Sequence, residues 1–157
     1  MLQGWATVHL GSATTDPLLS NLQSLLDASK RFFDLPISDK ESFKIPSAGS
    51  EAGWSHVEGE KELIALRTDS ASDLPQVLRE HAIQCWRVCG EFVHDTLCRI
   101  AQTLGLQEEA LKVFSEPCLE LKSEKTATML RLFRYEGEQE PKIVGEREYI
   151  LLKFSFF

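Results

Sequence analysis

Histidine, cysteine and carboxylate side chains carry most protein chemistry, and this chain of 157 residues has four histidines and four cysteines. His56-Val57-Glu58 has the His-x-carboxylate spacing of a non-haem iron site. Such a site takes two histidines and one carboxylate on one face of the metal and leaves positions open for substrate and oxygen. His81 or His94 would have to supply the third ligand. Both lie in a long helical segment, whereas His56 sits in a Gly/Ser-rich stretch that reads as loop, and no spacing brings them together. His56 therefore reads as a polar loop histidine.

Cys85 and Cys89 are four apart and share a helix face. Two thiolates plus a third ligand could hold zinc, but no Cys-x-x-Cys pair or Cys/His cluster completes a tetrahedron. Small buried side chains on a core stripe are the better reading. Cys98 and Cys118 lack a local basic partner that would mark a nucleophile. His94 and Asp95 are adjacent on a helix, point in different directions and make no dyad. Gly49, Gly53 and Gly59 lack the strand–turn–helix context and the lysine of a phosphate loop. Arg131 and Arg134, on one strand, could bind an anion; a solvated strand face is the alternative that composition favours.

The elements that would position these residues are legible in part. "GWATVHLG" (4–11) reads as a short strand between glycines. In "DPLLSNLQSLLDASKRFFDLP", Asp16 is a good N-cap and Pro17 a good first helical residue. Leu18, Leu19, Leu22, Leu25, Leu26, Phe32 and Phe33 recur at helical spacing, and Pro36 ends the helix. "SDKESFK" is a short helical turn with Ser38 as a candidate cap, and a loop runs from Ile45 to about Gly59. "EKELIALR" reads equally as strand or loop. From Pro75 to Leu104 a stripe of Val77, Leu78, Cys85, Cys89, Phe92, Val93, Leu97, Ile100 and Leu104 predicts a long helix, with Gly105 at C′. "QEEALKVF" predicts a short helix, and Thr126 to Tyr135 an alternating strand.

The composition, 43% hydrophobic and 26% charged, is that of a folded domain. A net charge of -7 disfavours nonspecific binding to nucleic acid or to anionic membrane. No basic-then-apolar leader opens the chain and no run approaches the ~20 apolar residues of a membrane span. The expected location is cytoplasmic, with reduced thiols. The last residues, "YILLKFSFF" from Tyr149 to Phe157, are apolar, β-prone and nearly uncharged, a pattern of aggregation-prone segments. This tail is expected to pair with the Thr126–Tyr135 strand or to stay exposed, to favour self-association and to lower solubility.

The order of these segments resembles the N-terminal half of the 2-oxoglutarate/iron(II)-dependent dioxygenases of the isopenicillin N synthase-like family. "GWATVHLGS" is similar to that family's "GFFxVxNHG" strand. "LLDASKRFFDLPISDKESFKIP" is similar to its helix ending in "FFxLPxxxK", the most specific of the matches. "GWSHVEGEKE" sits where the family has "GYxxxGxE", Pro75 to Leu104 matches its long helix ending in "LGL", and "MLRLFRYEG" looks like the strand that opens the catalytic barrel. The resemblance covers roughly residues 4 to 146.

It implies an α+β chain: residues 1–125 as the helical and strand region that precedes a double-stranded β-helix (jelly roll), 126–146 as the first of its strands, and 147–157 as an aberrant apolar tail, with the barrel incomplete. The family's cofactors are Fe(II) and 2-oxoglutarate, and its substrates are small molecules. Its metal ligands are a His-x-Asp pair and a distal His, with an Arg-x-Ser motif for the 2-oxoglutarate carboxylate. The sequence reads "REYILLKFSFF" where the His-x-Asp segment is expected, so no metal ligand carries over and neither cofactor is expected to be bound by this chain. Tyr135 matches the strand tyrosine that hydrogen-bonds 2-oxoglutarate in some members. The neighbouring Asn of that motif is Phe133 here, and Arg131 matches a basic position with a structural role. The resemblance thus implies a fragment related to these oxygenases and inactive alone. The competing reading is a non-enzymatic interaction or regulatory protein that pairs through its exposed strand edge and apolar tail.

Overall fold

The computed structural model describes residues 11–12, 14–44, 52–67, 73–115, 129–135 and 150–155, the last stretch as backbone. Helix α1 (Pro17–Phe33) begins where the sequence places it: Pro17 opens the first turn, and the Asp16 carboxylate accepts from the backbone N–H groups of Leu18 and Leu19 at 3.0 and 3.2 Å. Asp16→Ala is expected to cost about 1 kcal/mol in urea unfolding, because two N–H groups lose their acceptor; Asp16→Asn should recover most of it. The inward face of α1 buries Leu25, Ala28, Phe32 and Phe33.

Helix α2 (Ile37–Lys40) and a 3-10 turn (Glu41–Phe43) follow Pro36. Ser38 is not a cap, since its hydroxyl bonds the Asp39 carboxylate instead. Strands β1 (Gly53–Val57) and β2 (Lys61–Arg67) form a hairpin, turned through Gly59 at φ 74°. That corrects the expected loop: His56 is on a strand. The Gly/Ser-rich composition is overridden by Trp54, whose burial against the helices fixes the register of the hairpin. "EKELIALR" resolves as strand for the same reason, with Ile64 and Leu66 buried.

Helix α3 (Gln76–Thr103) ends on Leu104 and Gly105, the latter at φ 71° as the C′ position requires. The short helix expected there is a 3-10 helix, Glu108–Phe114. Strands β3 (Met129–Tyr135) and β4 (Ile150–Ser155) complete an antiparallel sheet of order β1-β2-β3-β4. Of the two alternatives for the tail, residues 150–155 take the first and pair with β3, Arg134 opposite Ile150 through Met129 opposite Ser155. Residues 4–10 of the expected strand 4–11, and 126–128 of the expected strand Thr126–Tyr135, lie outside the described residues, and Gly11 is not in a strand.

The fold is α+β, with α1 and α3 packed together over one face of an open sheet. The core joins Leu25, Phe32 and Phe33 of α1 to Leu78, Cys85, Trp86 and Cys89 of α3 and to Trp54, Ile64, Leu66, Leu130 and Leu132 of the sheet. The expected stripe of α3 is buried only in its N-terminal half; further on, the buried residues are Cys98 and Ala101 instead. Phe92, Ile100 and Leu104, expected in the core, are 36%, 44% and 65% exposed, because α3 outruns the short strands it covers. Among the described residues no helix is long and apolar enough to cross a membrane.

Candidate functional site

Strand side chains alternate between faces, so the register assigns every residue of the sheet to one side. His56, Glu62 and Arg134 form one cross-strand row, and Trp54, Ile64 and Leu132 the next, all on the side covered by the helices. The opposite side carries Lys61 against Tyr135, Leu63 against Phe133, Ala65 against Arg131 and Arg67 against Met129. Tyr135 is half-buried and stacks on Phe133, their ring centroids 6.1 Å apart. Lys61 is its direct cross-strand neighbour, close enough for both side chains to reach one small anion. Among the described residues neither Lys61 nor Arg131 has an acidic partner.

The two arginines of β3 do not act together. Arg131 shares the side away from the helices with Tyr135, whereas Arg134 points to the helix side and is committed there. Its guanidinium lies over the Phe33 ring, 5.5 Å from the centroid, and reaches Asp34 Oδ1 at 2.9 Å. It also stands 2.8 Å from Glu62 Oε2, as an ion pair without the alignment of a directed hydrogen bond. The other oxygen of Glu62 accepts from Lys40 Nζ at 2.6 Å, and both side chains are only 2% exposed. Lys40 also donates to the Phe33 carbonyl at 2.7 Å, and its ammonium lies 5.6 Å from the centre of the Trp54 ring. Phe33 is the last residue of α1, so Lys40 satisfies one of the carbonyls that a helix C-terminus leaves without a partner. The network pins the end of α1 and all of α2 to the sheet. Its Lys40–Glu62 centre is shielded from solvent while Arg134 and Asp34 reach the surface, and the charges balance, which suits support rather than catalysis. Sequence reading passed over it, although its lysine closes "FFDLPISDK", the most specific stretch of the family resemblance.

His56 stacks on Trp54 at 6.1 Å on the helix side of the sheet, and Glu58 lies in the turn beyond. The residues present do not fit an iron triad built on His56: the described residues place neither His81 nor His94 beside it in a cluster of metal-compatible donors. Cys85 and Cys89 are buried in the core with their sulfurs 4.0 Å apart, and the hydrogen bond from Cys85 lowers the Cys89 thiol against the opposing effect of burial.

Cys98 corrects the sequence reading. Its sulfur is 3.6 Å from His94 Nε2, one helical turn away, so it does have a basic neighbour. Partial burial first, then the charges of Glu109, Glu108 and Asp95, push its thiol above the ordinary range. In the metal-free chain Glu109→Gln should therefore move the pH profile of Cys98 alkylation to lower pH, because the thiolate loses a repelling charge. Rates at the Cys98 peptide, followed by mass spectrometry, test this; an unchanged profile would refute it. A shallow groove lined by Leu35, Asp39, Phe43, Pro75, Gln76 and Val77 has no set of converging polar groups and suggests no chemistry.

No known protein-family model and no curated protein sequence matches the chain. Among solved structures, the apo form of a C-terminally truncated T7H from Neurospora crassa is similar, with a TM-score of 0.54 and 18% identity. The likeness covers 77% of this chain and 46% of that one, so the chain spans about half the length of its structural neighbour. At that identity what is shared is the fold.

Proposed function

We propose that this chain is the N-terminal helix-and-sheet portion of a 2-oxoglutarate/iron(II)-dependent oxygenase fold, able to present a cosubstrate-facing wall but not an iron site. The fold likeness to T7H, an oxygenase of that class, supports the relation. The observation that carries the site is the placement of Tyr135 and Lys61 opposite each other on the side of the sheet away from the helices, where both are half-buried. A phenol and an ammonium on directly opposed residues are suited to one carboxylate: the Tyr135 hydroxyl donates a hydrogen bond and Lys61 supplies charge. The 157 residues contain no His-x-Asp and no Arg-x-Ser, so no step of oxygen chemistry is assigned to them.

Titration of the full chain with 2-oxoglutarate, followed by NMR, tests this reading. Weak binding is expected, at about millimolar Kd, with shifts centred on Lys61 and Tyr135. Tyr135→Phe should weaken it about fivefold, the worth of one hydrogen bond of ~1 kcal/mol, and Lys61→Met more. Binding untouched by both substitutions would sink the proposal.

The interaction reading keeps one specific support. Strand β4 is an outer strand of the sheet, and its apolar sequence would let a further strand add to it. If the chain self-associates this way, the dimer fraction measured by sedimentation should fall on replacing Leu152 by proline, which removes a backbone donor.

A further inference from the structure

We propose that His94, Cys98 and Glu109 form a binding site for a zinc-class divalent cation, separate from the sheet and independent of the oxygenase reading. Three different donors converge there: an imidazole and a thiol one turn apart on α3, and a carboxylate from the 3-10 helix that follows it. Their ligand atoms all lie within 4.8 Å of one another. Cys98 Sγ is 3.6 Å from His94 Nε2, and His94 Nε2 is 3.6 Å from Glu109 Oε1. A tetrahedral zinc with Zn–S near 2.3 Å and Zn–N and Zn–O near 2.1 Å has an S···N edge of about 3.6 Å and an N···O edge of about 3.4 Å. The S···N edge matches that tetrahedron, the N···O edge is within about 0.2 Å of it, and the third pair lies within 4.8 Å, so a small closing of the Glu109 side chain completes the set.

The histidine is oriented for the task. Ser115 Oγ donates to the Lys112 carbonyl at 2.9 Å, which uses its only proton. Toward His94 Nδ1, 3.1 Å away, that oxygen can therefore only accept. A neutral imidazole that donates from Nδ1 presents a bare Nε2, and this is the nitrogen facing Cys98 and Glu109. A ligand histidine whose second nitrogen is held by a fixed acceptor is the usual outer-sphere arrangement of protein metal sites. Ser115 is buried and so holds the ring from inside. Lys112 pairs with the other oxygen of Glu109, at 3.8 Å from Oε2, and leaves Oε1 turned to the cluster. Glu108 and Asp95 add negative charge around it, which favours a dication. Three protein ligands leave the fourth position of the tetrahedron to water, with Glu109, 59% exposed, marking the open side.

The reduced full chain is titrated with Co(II), the spectroscopic stand-in for Zn(II), with competition by Zn(II). The expected result is one equivalent bound, a sulfur-to-cobalt charge-transfer band and the intense visible bands of a tetrahedral ion, all displaced by Zn(II). Cys98→Ser should abolish the charge-transfer band, and Glu109→Gln and His94→Gln should each weaken binding at least tenfold. Ser115→Ala should weaken it by about 10–100-fold. A variant with Cys85→Ala, Cys89→Ala and Cys118→Ala should keep the band. Far-ultraviolet circular dichroism establishes that each variant retains its helices. No stoichiometric binding by the folded chain, a band that survives Cys98→Ser, or a band lost with the other three cysteines would each overturn the assignment.

Discussion

Replacing Lys40 by methionine is expected to lower the stability of the chain by about 3–5 kcal/mol, the cost of breaking a buried ion pair by removing one partner. Methionine fills nearly the same space, so packing is not what is lost. Glu62 would be left at 2% exposure without its ammonium partner, and the Phe33 carbonyl would lose the donor that closes α1. Arg134 remains beside Glu62, but on the other oxygen and poorly aligned. The double variant Lys40→Met/Glu62→Leu should be more stable than Lys40→Met alone, because no uncompensated charge stays buried and Arg134 keeps Asp34. Urea unfolding of the wild type, both single variants and the double variant yields the coupling directly. A loss below about 1 kcal/mol for Lys40→Met, the range of a surface pair, would mean that the Lys40–Glu62 pair is hydrated in solution.

Trp86→Ala is expected to cost about 3–5 kcal/mol, the range for deleting a large buried aromatic side chain. Trp86 is fully buried on α3, in the cluster that includes Phe32, Ile64 and Leu132. Its indole N–H has no hydrogen-bond partner among the described residues. An unsatisfied buried donor costs about 1–3 kcal/mol, and this sets a second expectation. Trp86→Phe should lose far less than Trp86→Ala, about 1 kcal/mol or under, since removing the orphan donor offsets part of the smaller cavity. A phenylalanine variant as unstable as the alanine one would indicate that the N–H is satisfied in solution.

Much of the helical scaffold was legible in the sequence, and particular residues show why. Asp16 and Pro17 start α1 and Gly105 ends α3 through local backbone chemistry, which a sequence displays directly. The hairpin was half hidden, because Gly53 and Ser55 look like loop while the burial of Trp54 that makes them strand is tertiary. The helical period of α3 ran on through Phe92 and Ile100, but periodicity cannot report where the covering sheet ends. The Lys40–Glu62–Arg134 network was illegible for a different reason. Its members come from α2, β2 and β3, and only the register of the sheet brings them together. His94 and Cys98 were visible as an i, i+4 pair, yet the return of the chain that adds Glu109 and Ser115 was not.

The central proposal is that these residues carry an oxygenase-type scaffold without a catalytic iron site. The most direct test is to incubate the full chain with Fe(II), 2-oxoglutarate and oxygen and to measure release of the cosubstrate's carboxyl carbon as carbon dioxide, with catalase present to limit peroxide chemistry. The account predicts release no faster than without protein, even where a metal is held at His94 and Cys98, because that cluster lies apart from the Tyr135 face. Protein-dependent, stoichiometric conversion of 2-oxoglutarate to succinate and carbon dioxide, lost on Tyr135→Phe, would contradict it and require an iron site built from this chain.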